Sequence, residues 1–216
     1  MAEEQAPIAS MRRDVVVGIR TEAAIAVGAA AAVLGILGLA GVLPAVLAEV
    51  AVVLVGASFI AAQGNAAGRY EPALSTAERQ QLRALPLAGD VTSEFVGGLA
   101  GALMGLLALL GVASTSLLAI AIIVLGAVAI MSGRSHDRVA AMLIETTDAS
   151  PRVKAIAREA AGASTGALLL IGMGAVALGI LALVITTNGL SLVLVASLGL
   201  GFGVLLEAAS RSARTV

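Results

Sequence analysis

The chain has 216 residues, of which 59% are hydrophobic and only 12% charged, and its net charge is -1. With no cysteine, no tryptophan and one histidine, it lacks the parts for disulfides, thiolate metal sites or thiol catalysis. The near-neutral balance gives no bulk attraction to nucleic acid or to an acidic partner.

Six apolar segments follow in chain order: Ala23–Leu43, Ala45–Ala62, Phe95–Val112, Ser116–Met131, Ser164–Ile185 and Leu190–Leu206. Each approaches the ~20 residues that a helix needs to cross the hydrocarbon of a bilayer. None alternates apolar and polar residues as a barrel strand would, and a helix satisfies its own backbone groups in lipid. The first segment is too long for the apolar part of a signal peptide, and a second follows it directly, so it reads as retained. The expected fold is all-α, a polytopic membrane bundle of six transmembrane helices.

The segments pair. Short connections lie around Pro44, around Ala113–Thr115 and at Thr186–Gly189, while polar stretches Gln63–Ser93 and Ser132–Gly162 separate the pairs. The organisation reads as an arm over 1–22, hairpins over 23–62, 95–131 and 164–206, loops over 63–94 and 132–163, and a tail over 207–216. All 13 Lys and Arg residues lie in the arm, the two loops or the tail. With six spans these four regions share one side, and the positive-inside rule makes that side cytoplasmic. The expected location is the cytoplasmic or plasma membrane with both termini inside.

The glycines repeat. Gly28, Gly35, Gly41 and Gly56 recur as Gly98, Gly105, Gly111 and Gly126 at an offset of 70, and Gly172 and Gly179 keep the seven-residue spacing of the first two. Three tandem hairpins of parallel topology account for this. Gly97, Gly101 and Gly105 form a GxxxGxxxG tract, Gly162 and Gly166 repeat the spacing, and Gly199, Gly201 and Gly203 crowd the last segment. Small residues at these spacings let helices approach closely in lipid. Gly28, Gly35, Gly97, Gly98, Gly101, Gly105, Gly172 and Gly179 are therefore expected at helix-packing faces, within the bundle or between copies.

The polar stretches carry helix signals. Ser75–Glu78 has the form of a capping box, and Pro86 ends any helix formed by Leu82 and Leu85. Val139, Met142 and Leu143 share a helical face, and Ser150-Pro151 reads as a cap followed by proline at the first helical position. These pieces are expected to rest on their own bundle.

Chemistry-bearing residues are few. Glu49 sits among Val46, Leu47, Val50 and Val52, and no Lys or Arg occurs in any apolar segment. It is a candidate proton or ion site. The plainer expectation places it one turn from the helix end, reaching headgroups or water. Glu22, Glu94 and Glu159 are expected to complement helix starts, and Glu207 to reach cytoplasmic water. His136 stands in a polar connector without a second His or any Cys, so no catalytic, metal-binding or cofactor-binding residues are expected.

The hairpin pattern, Gly35-Ile36-Leu37-Gly38 to Pro44 to Gly56 and Gly105-Leu106-Leu107 to Gly111 to Gly126, resembles the HdeD-type acid-resistance membrane proteins. The resemblance implies a six-span, non-enzymatic protein linked to envelope stress. Three functions compete. The first is a structural or accessory subunit, or a self-associating module, whose partners are lipids, copies of itself or other membrane subunits. The second is a small-solute or proton-coupled transporter or channel using Glu49. A membrane enzyme ranks last.

Overall fold

The computed structural model describes residues 25–70, 87–112, 114–146, 151–185 and 187–212, with side chains described through most of the apolar segments. Six helices occur among the described residues: α1 (Ile25–Leu39), α2 (Pro44–Tyr70), α3 (Leu87–Leu109), α4 (Ser114–Thr146), α5 (Pro151–Val184) and α6 (Gly189–Ser212). Four contain stretches long and apolar enough to cross a membrane: Pro44–Ala61, Thr115–Gly133, Thr165–Val184 and Gly189–Leu206. Among the described residues, the apolar parts of α1 and α3, Ile25–Leu39 and Glu94–Leu109, are shorter. Large side chains such as Leu43, Val96, Leu110, Leu170 and Val184 are exposed. A water-soluble monomer rarely shows so much apolar surface. This is the makeup of a helical membrane protein.

The helices outrun the apolar segments. α2 continues to Tyr70, α4 to Thr146, and α5 begins at Pro151, the position that the Ser150-Pro151 pair indicated. Past Gly133, α4 adds 13 residues, or about 20 Å of helix at 1.5 Å per residue. The capping box at Ser75–Glu78 and the leucines before Pro86 lie outside the described residues.

Two turns share one geometry. Gly41 has φ of 88° and Gly111 of 83°. After α1, the Gly41 amide donates to the Gly38 carbonyl and the Val42 amide to the Leu37 carbonyl. After α3, Gly111 donates to Ala108 and Val112 to Leu107. This is the Schellman pattern, in which a left-handed glycine just past the helix end satisfies free carbonyls. Glycine is thus the turn-maker. Pro44, expected in the turn, is the first residue of α2, where its fixed φ and missing N–H cost nothing.

The helices form two layers. α2, α4 and α6 all touch one another. Their buried positions follow heptad spacing: Ala48, Val52, Val55 and Phe59 on α2; Leu118, Ile122, Leu125 and Ala129 on α4; Val193, Ser197, Leu200 and Val204 on α6. None of these residues is more than 7% exposed. Around this trio lie α1, α3 and α5. α3 packs on α2 and α4, α5 packs on α4 and α6, and α1 packs on α6 through Gly28, Gly35 and Gly38.

Three close approaches tie the layers together, and they are alike. A β-carbon added to Gly98 would lie 3.0 Å from the Gly56 carbonyl oxygen. One on Gly172 would lie 2.8 Å from that of Gly126, and one on Gly28 3.2 Å from that of Gly201. In each case the next neighbour is an amide four residues further on, at Ile60, Ile130 or Leu205. The contacts therefore close into a ring, with α6 returning to α1. Removing the side chains at these crossings brings backbone against backbone, the close packing that helices need where lipid supplies no hydrophobic drive.

Candidate functional site

Glu49 lies six residues into α2 and is 6% exposed. Five residues of helix place it about 7.5 Å along the axis from Pro44. Helical side chains lean toward the N-terminus, so its carboxylate leans toward the turn end of the bundle. The ring defines what Glu49 faces. Gly105 packs on Val52 and Val53, and Gly98 packs on Gly56 and Phe59, so α2 and α3 run antiparallel in one register. One turn beyond Gly105, that register sets Glu49 opposite Ala108, which is 1% exposed.

The same seat occurs twice more. At the α6/α1 crossing, a β-carbon on Gly38 would meet Leu194, whose Cδ2 lies 2.6 Å away. Gly179 and Gly35 occupy the place of Gly105 at the other two crossings, and they meet the carbonyls of Ala119 and Leu194. Positions 49, 119 and 194 are thus equivalent, facing Ala108, Ala182 and Gly38. Glu49, Ala119 and Leu194 are all buried. Volume is exchanged across the seam: leucine faces glycine, alanine faces alanine, and glutamate faces alanine. Two of the three seats are filled without polarity, so packing does not demand an acid in the third. A charged residue at mid-helix costs about 2.5–3.5 kcal/mol on insertion scales, and a place near the end reduces that. No Lys, Arg or His occurs in α1 over Ile25–Leu39, in α3, or in the apolar parts of α4 and α6.

The second buried acid has a different setting from the one expected. Glu94 is 4% exposed and is the eighth residue of α3, because that helix starts at Leu87. It is not at a helix start, and capping does not explain it. Gly97 lies against Val128 and Gly101 against Leu125, and this register carries Glu94 to the level of Ser132 on α4. Both side chains are engaged. Glu159 is likewise the ninth residue of α5, exposed on its surface, and not a cap. Both corrections have one cause: the helices begin in polar sequence, well before the apolar runs. Glu22 and the side chains of Glu207 and His136 lie outside the described set.

No protein-family model matches the chain. No curated protein and no solved structure matches it either.

The packing glycines divide between neighbours. Gly97 and Gly101 face α4, whereas Gly98 and Gly105 face α2, so the GxxxGxxxG tract serves two helices. Gly28 and Gly35 face α6, and Gly172 and Gly179 face α4. Gly162 and Gly166, which repeat the spacing, have nothing within 4 Å. Ser58 and Ser197, buried polar residues that spacing alone did not single out, are satisfied locally. The Ser58 hydroxyl donates to the Val55 carbonyl at 2.6 Å and the Ser197 hydroxyl to the Val193 carbonyl at 2.8 Å. Such bonds to the preceding turn let hydroxyls lie in an apolar core. Among the described residues no three His, Cys, Asp or Glu side chains could hold a metal ion.

Proposed function

We propose that the chain is a non-enzymatic structural or accessory module of the cytoplasmic or plasma membrane. In this reading it has six spans in three tandem hairpins about a pseudo-threefold axis, with both termini inside. The observation that carries the reading is the filled axis. Ala48, Leu118 and Val193 form one set of equivalent positions, Val52, Ile122 and Ser197 the next, and Val55, Leu125 and Leu200 the third; all are at most 1% exposed. A conduit needs polar or hydrated walls. Here the centre is packed as a protein core. The ring arrangement also occupies the glycine faces of α1 and α3 within one chain, which leaves the outer apolar surface for lipids and partner subunits.

The confinement of all 13 Lys and Arg residues to the arm, the two long loops and the tail supports the orientation. The hairpin likeness to HdeD-type proteins makes envelope stress the physiological setting of this reading.

A flux assay tests it. Proteoliposomes carrying the protein are expected to leak protons, alkali cations and small solutes no faster than empty vesicles. Protein-dependent flux abolished by Glu49→Gln would replace this reading with a transporter or channel.

A further inference from the structure

The seat of Glu49 holds more than packing requires. Its two equivalents, Ala119 and Leu194, are fully buried and apolar, and all three crossings bring backbone against backbone. Glu49 itself is more than nine-tenths buried, in the seam between α2 and α3 opposite Ala108. The elements around it bring no countercharge. α1 over Ile25–Leu39, the apolar part of α4 and the apolar part of α6 contain no titratable side chain. In the apolar part of α3 only Glu94 is titratable, and 14 residues separate it from Ala108, about 21 Å along the helix. In the sequence every Lys and Arg lies outside the six apolar segments. Among the described residues these elements offer nothing that neutralises the carboxylate, and a mobile counterion can. A small ion needs only the route along which the side chain already leans, toward the turn end.

We propose that Glu49 is a binding site for a monovalent cation, a proton or an alkali-metal ion, entering from the turn end. The inference rests on the bundle lying in a membrane. It does not depend on whether the module serves as an accessory subunit.

The test uses the full-length protein in lipid nanodiscs and dicyclohexylcarbodiimide, an apolar reagent that attacks protonated carboxyls. The carboxylic acid adds across the carbodiimide, and acyl migration gives an N-acylurea with no leaving group, read by mass spectrometry. One adduct is expected, on Glu49, and it is lost in Glu49→Gln. If the ion is a proton, labelling falls about tenfold per pH unit once the carboxylate predominates, and sodium or potassium chloride has no more effect than choline chloride. If the ion is an alkali metal, its chloride slows labelling at fixed pH where choline chloride does not. A Glu49 adduct indifferent to pH and to both salts overturns the proposal, and so does labelling elsewhere with none at Glu49. Glu49→Ala and Glu49→Leu, the residues of the equivalent seats, guard against a folding artefact. They are expected to purify folded and to lose the dependence of thermal stability on the bound ion. Failure of both to fold would make the acid a packing element and refute the site.

Discussion

The crossing of α2 and α3 at Gly56 makes the sharpest stability prediction. A β-carbon there would lie 2.6 Å from the Ala102 amide nitrogen and 2.7 Å from the Gly98 carbonyl oxygen. The nearer atom is about 0.8 Å inside the 3.4 Å at which ordinary contact begins. Both obstacles are backbone, so no rotamer change relieves them and the helices must part. A gap of about 0.5–1 Å forfeits a quarter to a half of each dispersion contact along the seam. Overpacking of this kind costs about 1–3 kcal/mol, and the gain in helix propensity from glycine to alanine returns at most about 1 kcal/mol. Gly56→Ala should therefore be neutral to about 3 kcal/mol less stable, and Gly56→Val worse. Gly166→Ala and Gly174→Ala, with nothing within 4 Å, supply the contrast. They should match the wild type or gain up to about 1 kcal/mol. Reversible unfolding in mixed micelles, followed by circular dichroism, measures all four. A Gly56 variant more stable than the Gly166 variant would refute the close-approach argument.

If the three crossings are equivalent, Gly126→Val and Gly201→Val should each lower the unfolding midpoint in the same assay to an extent similar to Gly56→Val. A variant that is destabilised at only one of the three would break the ring account. Gly41→Ala and Gly111→Ala force a β-carbon into a left-handed turn with no steric neighbour, so each should cost about 1–2 kcal/mol from backbone strain alone; Gly111→Asn, which tolerates that conformation, should cost less. Ser197→Ala removes a hydroxyl that bonds only to its own helix, and should change stability by less than about 1.5 kcal/mol without altering the oligomeric state seen by native mass spectrometry.

Much of this architecture could be read in the residues. The apolar runs and the offset of 70 between Gly28–Gly56 and Gly98–Gly126 point to helices in repeated pairs. The Gly41 and Gly111 turns realise that offset with the same capping bonds. Other features were hidden for physical reasons. Helix ends were misplaced at Glu94 and Glu159 because hydrophobicity marks where lipid begins, while the helix continues wherever backbone bonds and a cap allow. The tract Gly97-Gly101-Gly105 looked like one face, yet Gly105 turns to α2 and the other two to α4, since positions eight residues apart on a straight helix drift by about 80°. Glu49 stood out as an acid in an apolar run. The offset of 70 already pairs it with Ala119, but its equivalence to Leu194 was not visible until the crossings supplied the register of the third hairpin.

Native extraction of the protein from its own membranes, with mass spectrometry of everything that co-migrates, tests the central claim most directly. The account predicts an assembly in which this chain accompanies defined membrane partners that carry the activity. A chain that migrates alone and supports solute flux by itself would contradict it.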